Sequence, residues 1–246
     1  MMHTEYIREG DATKTAFLFI HGFLGSPVHF SDFVALVPED CAVYNLLLKG
    51  HGGTVQAFGQ ASMAEWKKQA DTAVKNLAKH YKDVIIVAHS MGTFFAMEAA
   101  VNDPEHIRAI LLLQSPLKIG VKSTAMKNTL KSFFNLIPEN DTVGKAYQAS
   151  HSIKLDWRLW LYLRWIPRYF ELFREAQRAR AVIQKVEIPC YICQSKQDEL
   201  VSMNSMRFIP EKPNIHVRIL EKSAHFLDDS AEIRAVQELF CSLLEE

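Results

Sequence analysis

The pentapeptide Ala88-His89-Ser90-Met91-Gly92 joins an apolar run, Val84–Ala88, to a helical run, Thr93–Val101. Small residues two positions before and after Ser90 let strand and helix approach closely. A serine on so sharp a turn stands strained and exposed above a sheet, placed for nucleophilic attack. The helix that follows directs backbone N–H groups toward developing negative charge. The plain alternative is an incidental serine in a connecting loop; the strand before it and the helix after it favour the nucleophile.

A hydroxyl is a weak nucleophile and needs a base, which in turn needs an orienting carboxylate. Behind such a turn the chain order is Asp or Glu, then His. Asp198 follows the apolar run Pro189–Cys193, in Gln194-Ser195-Lys196-Gln197-Asp198-Glu199. His225 follows the run His216–Leu220, in Glu221-Lys222-Ser223-Ala224-His225-Phe226. Both are expected on loops at the edge of the sheet where Ser90 sits. Asp198 has a rival role as the cap of a helix beginning at Ser202, and Glu199 is the competing acid; the shorter side chain suits a tight turn better. Of the ten histidines, only His225 combines the order with a position after a strand. Acyl transfer also needs an oxyanion hole. The run Ala16–Ile20 ends in His21-Gly22-Phe23-Leu24-Gly25, where glycines let the backbone turn its N–H groups inward. The expected donors are the N–H groups of Phe23 and Met91.

These loops need a scaffold. Short runs rich in Val, Ile, Leu and Phe (Ala16–Ile20, Cys41–Leu46, Val84–Ala88, Ala109–Leu113, Pro189–Cys193, His216–Leu220) alternate with helical patterns. Runs apolar on both faces suit parallel strands covered on each side, hence a doubly wound α/β sheet. Ser62 and Glu65 form a capping-box pattern ahead of a helix over Ala64–Tyr81. The rhythm breaks between Leu113 and Cys190, an interval longer than one crossover helix requires. Within it, Trp157, Trp160 and Trp165 join Phe133, Phe134, Tyr162, Tyr169, Phe170 and Phe173. This reads as a helical insertion above the sheet.

The His21-Gly22-Phe23 turn, the Ser90 elbow, the Asp198 loop and the His225 loop together resemble the α/β-hydrolase superfamily, nearest its carboxylesterases and monoacylglycerol-lipase-like members. Gly22-Phe23-Leu24-Gly25-Ser26-Pro27 and Lys49-Gly50-His51-Gly52 are similar to two further motifs of that group. The likeness covers about Thr15–Pro116 and Val186–Glu246. It implies an α/β-hydrolase fold with a catalytic domain over 1–116 and 187–246, a helical cap or lid over 117–186, and ester hydrolysis through an acyl-serine. Ala88 replaces the usual first glycine of the elbow, Thr93 stands where a second glycine often follows, and Ser195 replaces the common glycine before the acid. The short segment before Thr15 implies a reduced or absent initial strand pair.

Composition narrows the partners. The chain has 246 residues, 48% hydrophobic and 23% charged, an ordinary globular balance. Its 28 basic and 28 acidic residues cancel, so bulk charge gives no case for nucleic-acid binding. Leu117–Val186 nevertheless carries 13 basic and 5 acidic residues, a local +8 against −8 for the rest. The basic, aromatic interval is expected to pack and line an acyl pocket, and to favour substrates with a negative group; interfacial attachment and a protein partner are lesser readings. No apolar run reaches the ~18–20 residues of a membrane span, so no stable membrane insertion is expected. The polar start lacks a signal-peptide pattern, and four cysteines without one suggest reduced thiols in the cytoplasm. Cys190-x-x-Cys193 lies within an expected strand and reads as buried thiols. His51 is expected to stabilise its loop or touch substrate, and His89 to face away from the chemistry. No cofactor or metal is expected. Three functions follow in order: a serine hydrolase of small to medium acyl esters, a monoacylglycerol among them; a C–C hydrolase or lyase acting on an acidic metabolite; and a non-catalytic binding module. Oligomeric state is not legible.

Overall fold

The computed structural model describes residues 3–125, 127, 131, 136–138, 140–226 and 229–245; Phe133 and Phe134 lie outside them. A seven-stranded sheet is built from β1 (Tyr6–Arg8), β2 (Thr15–Ile20), β3 (Ala42–Leu46), β4 (Asp83–His89), β5 (Ile107–Leu113), β6 (Cys190–Ser195) and β7 (Ile215–Leu220), in the order β1-β3-β2-β4-β5-β6-β7. Every neighbouring pair is parallel except β1 with β3. The helices that matter below are α1 (Ser31–Val34), α2 (Val55–Gln60), α3 (Met63–His80), α4 (Gly92–Asn102), α5 (Thr142–Ser150), α6 (Ile166–Val182) and α7 (Ser230–Glu245).

The central strands are apolar on both faces because two cores need them, whereas the edge strands β1 and β7 are largely exposed. Ala16, Leu18 and Ile20 of β2 pack with Trp66 and Leu77 of α3 and Phe94 and Met97 of α4. Phe17 and Phe19, alternating to the opposite face, pack with Phe33 of α1 and Val236 and Phe240 of α7. Phe240 meets Phe17 edge-on with ring centroids 5.7 Å apart. The capping pair also forms: Ser62 Oγ accepts the Glu65 N–H at 3.3 Å and donates to Glu65 Oε2 at 3.0 Å. The initial strand pair is reduced to β1 alone, whose Arg8 guanidinium donates to the carbonyls of Val37, Pro38 and Cys41.

The long interval between β5 and β6 has two physical characters. Its rear, α6, is a crossover helix packed on α4 and α3. Ala176 and Ala179 are buried there, and the buried Glu175 meets Lys67 at 2.8 Å, which also meets Glu98 at 2.6 Å. Its front runs over the carboxyl edge of the sheet: Ser152 N–H donates to Leu24 C=O at 2.9 Å, and Lys154 N–H to Gly53 C=O at 2.9 Å. The aromatic run is a 3₁₀ helix, Leu159–Trp165, not an α-helix. Trp165 alone of the three tryptophans is buried; its Nε1 donates to Val55 C=O at 2.8 Å, and its ring lies 4.8 Å from Phe58. Trp157 and Trp160 are 78% and 59% exposed, so neither packs on the body as expected.

Candidate active site

From β2 the chain moves outward to β3, then returns to place β4 on the other side of β2. The crevice at the carboxyl ends of β2 and β4 is therefore the topological switch point, where open α/β sheets bind ligands. Ile20 is paired with Ala88, so His21-Gly22 and His89-Ser90 leave the sheet side by side. Ser90 has φ +52°, in the left-handed region that side chains rarely adopt, and its N–H still reaches Leu113 C=O at 2.8 Å. The turn is possible because Gly92 lies against β2: a Cβ there would stand 2.2 Å from the Ile20 carbonyl oxygen. Thr93, in place of a second glycine, is absorbed by hydrogen bonding. Its hydroxyl donates to Ser90 C=O at 2.6 Å and meets Ser115 Oγ at 3.0 Å.

The acid and base loops converge on the same edge. Asp198 Oδ2 and His225 Nδ1 are 2.8 Å apart, with both side chains almost fully buried. The other oxygen, Oδ1, accepts the N–H groups of Leu200 and Val201 at 2.8 and 2.7 Å. Asp198 therefore does not cap the helical turn that follows, Met203–Phe208; Ser202 does, accepting the Asn204 N–H. Glu199 reaches His225 differently, its Oε2 accepting the backbone N–H at 3.1 Å. Ser90 and His225 line one cavity of about 130 Å³, closed by Phe23, Ile119, Leu172 and Phe173 among others. Apolar side chains dominate this wall, and among the described residues that line it there is no lysine or arginine.

Phe23 lies on the cavity wall, in a turn held from several sides. The next residue, Leu24, has φ +61°, and its carbonyl accepts the Ser152 N–H. The Phe23 ring packs on Phe58 at 5.0 Å and Tyr169 at 5.1 Å. His21 Nε2 accepts the Leu48 N–H at 3.1 Å while Nδ1 donates to Gly22 C=O at 2.9 Å, which fixes one neutral tautomer. Burial lowers the His21 pKa to about 4. His51, also buried, donates from Nδ1 to Leu48 C=O at 3.2 Å, a loop-holding role. Met91, immediately after the elbow serine, is buried at the start of α4.

Some supporting residues carry no motif. Gln114 immediately follows β5 and has φ +54°. Its Oε1 accepts the Ser195 N–H at 2.8 Å and Gln194 Nε2 at 3.3 Å, and its amide donates to Ser195 Oγ. This buried network ties the start of the acid loop to β5. His89 turns away from the cavity, and its Nε2 donates to His225 C=O at 3.1 Å. The ring of His29 stacks behind it at 3.9 Å. Cys190 and Cys193 face the two different cores, so they form no ligand pair, and burial pushes the Cys190 thiol up to about 12. Among the described residues no three His, Cys, Asp or Glu side chains gather as metal ligands.

Solved structures of other proteins share this fold. One of the solved structures of LipS and LipT, two metagenome-derived lipolytic enzymes, aligns over 99% of this chain and 98% of its own, with a TM-score of 0.73 at 18% identity. A monoacylglycerol lipase from Paleococcus ferrophilus aligns over 98% of this chain and 99% of its own, with a TM-score of 0.67 at 16% identity. A soluble variant of a Saccharomyces cerevisiae monoglyceride lipase, solved with a substrate analogue, aligns over 98% and 90%, with a TM-score of 0.66 at 14% identity. No curated protein matches the chain. The model of one family, described as the alpha/beta hydrolase family, matches residues 17–236. Its span takes in Ser90, Asp198 and His225 with most of β2 and all of β3 to β7, and the chain belongs to the alpha/beta hydrolase family.

Proposed function

We propose that the protein is a serine hydrolase of carboxylic esters, with Ser90 as nucleophile, His225 as general base and Asp198 as its orienting acid. One observation carries the reading: the buried Asp198–His225 pair ends in the same apolar cavity as a serine held at positive φ. His225 takes the Ser90 proton as the oxygen attacks the ester carbonyl. Asp198 holds the imidazole with Nδ1 protonated and stabilises the imidazolium that forms. The N–H groups of Phe23 and Met91 stabilise the oxyanion. His225 then passes its proton to the leaving alcohol and activates water to release the acid.

Esters are favoured over the acidic metabolite of a C–C hydrolase because the described residues of the cavity wall are mostly apolar and include no lysine or arginine. Lipolytic and monoacylglycerol-hydrolysing neighbours support the same choice. On α6, Ile166, Tyr169, Phe170 and Phe173 form an exposed stripe at helical spacing, and Tyr169 and Phe173 also line the cavity. That continuity suits acyl chains arriving from amphiphilic esters, a monoacylglycerol among them. The cap proper is best placed at 117–165, with α6 counted as the crossover helix. No helix among the described residues is long and apolar enough to cross a membrane.

The test is turnover of a series of p-nitrophenyl acyl esters by the wild-type protein and Ser90→Ala. Turnover that Ser90→Ala abolishes supports the reading, and undiminished turnover in that variant removes it.

A further inference from the structure

The backbone of His225 is gripped from both sides. Its N–H donates to Glu199 Oε2 at 3.1 Å, and its C=O accepts from His89 Nε2 at 3.1 Å. With Asp198 on Nδ1, three side chains fix one residue, and none of them is supplied by its own loop. Glu199 is only 4% exposed, and its second oxygen, Oε1, has no hydrogen-bond partner among the described residues. A buried backbone N–H needs an acceptor, but a neutral carbonyl or amide would serve. A carboxylate costs more to bury and is normally paired with a positive group. The group beside it that acquires positive charge during acyl transfer is the His225 imidazole.

From this placement, and resting on the serine-hydrolase reading above, we propose that Glu199 is a positioning residue that seats His225 and favours its charged form as the Ser90 proton is transferred. The same residue connects the cap to the base. Glu199 C=O accepts the Lys122 N–H at 2.8 Å, and Ile119 pairs with Val201 in an antiparallel bridge, so the first cap segment is laced to the acid loop. His89 completes the grip. Burial, chiefly, keeps its pKa well below 6.5, with His29 and His225 adding repulsion, so the ring stays neutral and Nε2 stays a donor. Among the described residues, the ionisable side chains that meet His225 include Asp198 and Glu199 from the acid loop and His89 from β4, with the His29 ring 3.9 Å from His89, and His151 of the cap lines the same cavity as His225.

The decisive comparison is Glu199→Gln, which keeps the shape and an acceptor for the His225 N–H while removing the charge. The pH profile of kcat/KM on one p-nitrophenyl ester is measured for wild type, Glu199→Gln and Glu199→Asp. In Glu199→Gln the acidic limb should move to lower pH by about 0.5–1 unit, because a neutral base is easier to keep without a nearby carboxylate. Its plateau kcat should fall about tenfold with KM within about twofold, since only the transition state carries the imidazolium. Glu199→Asp keeps the charge and should hold the acidic limb within about 0.3 unit of wild type. That comparison also decides the matter should the Gln variant not fold. A Glu199→Gln enzyme with wild-type kcat and an unmoved limb, or a Glu199→Asp limb displaced by a full unit, would overturn the proposal. A wild-type enzyme without ester turnover would remove the underlying reading as well, an outcome distinguishable from loss of this role alone.

Discussion

Gly22 and Ser90 approach so closely that a Cβ built on Gly22 would lie 2.7 Å from the Cβ of Ser90 and 3.2 Å from the carbonyl oxygen of His89. The turn after β2 and the elbow after β4 are therefore one fitted unit, and its spacing depends on the missing side chain. Gly22→Ala is expected to push the Phe23 N–H away from the oxyanion position. A fall of about 100-fold in kcat/KM should accompany about 1–3 kcal/mol of lost stability. Ester kinetics and urea unfolding of the same preparation check both. A variant with wild-type kcat/KM would show that the turn is not part of the chemistry.

Thr93 shows how a substituted glycine is accommodated, through its bonds to Ser90 C=O and Ser115 Oγ. Thr93→Val keeps the volume and removes both. It should cost about 1–2 kcal/mol in urea unfolding through the two lost hydrogen bonds, the Ser90 C=O still accepting the Thr93 N–H at 3.0 Å, with kcat reduced less than tenfold because Ser90 keeps its backbone.

Three buried histidines, His21, His51 and His89, and the half-buried His29 give the fold an acid limit. Burial is the largest cause in each, lowering His29 to about 3, His21 to about 4, and His51 and His89 well below 6.5. Unfolded, each titrates near 6.5. Below that pH the unfolded chain binds protons that the native state refuses, so stability present above pH 6.5 is lost as pH falls toward 4. The urea midpoint should drop steadily between pH 7 and pH 5, and His29→Phe should make that drop shallower. Equal midpoints at pH 7 and pH 5 would contradict this.

How much of this was legible in the sequence follows from where each signal resides. The strands β2 to β6 could be read because both their faces are buried, which leaves largely apolar runs; β7 is an edge strand whose His216, Val217 and Arg218 are exposed, and it could be read from its remaining apolar residues. Tyr6–Arg8 could not: it is three residues long and largely exposed, and it is specified by pairing with β3 and by the Arg8 hydrogen bonds. Asp198 and His225 were readable from order and post-strand position. Gln114, Glu199 and His89 were assigned no supporting role, because a hydrogen bond across 81, 26 or 136 residues leaves no local pattern. The interval 117–186 reads as one insertion, and nothing local in it signals that Glu175 of α6 pairs with Lys67, a contact 108 residues away. The basic interval suggested anionic substrates, while the described residues lining the cavity include no lysine or arginine.

The apolar wall makes a prediction about selectivity. For matched neutral and carboxylate-bearing esters, the neutral one should have the higher kcat/KM, with little dependence on salt. Phe173→Ala, which opens the wall, should lower kcat/KM for short acyl esters by about tenfold through lost apolar contact and favour bulkier chains. A chain-length series at two ionic strengths tests both; a strong anionic preference weakened by salt would point back to the basic residues.

Covalent labelling of Ser90 tests the central claim most directly. The protein, and separately Ser90→Ala and His225→Ala, is treated with a fluorophosphonate and the adduct located by peptide mass spectrometry. One adduct on Ser90 in the wild type, none in Ser90→Ala and labelling slowed by at least about 100-fold in His225→Ala is the predicted result. An unlabelled Ser90 in folded wild-type protein, or equal labelling without His225, would contradict it.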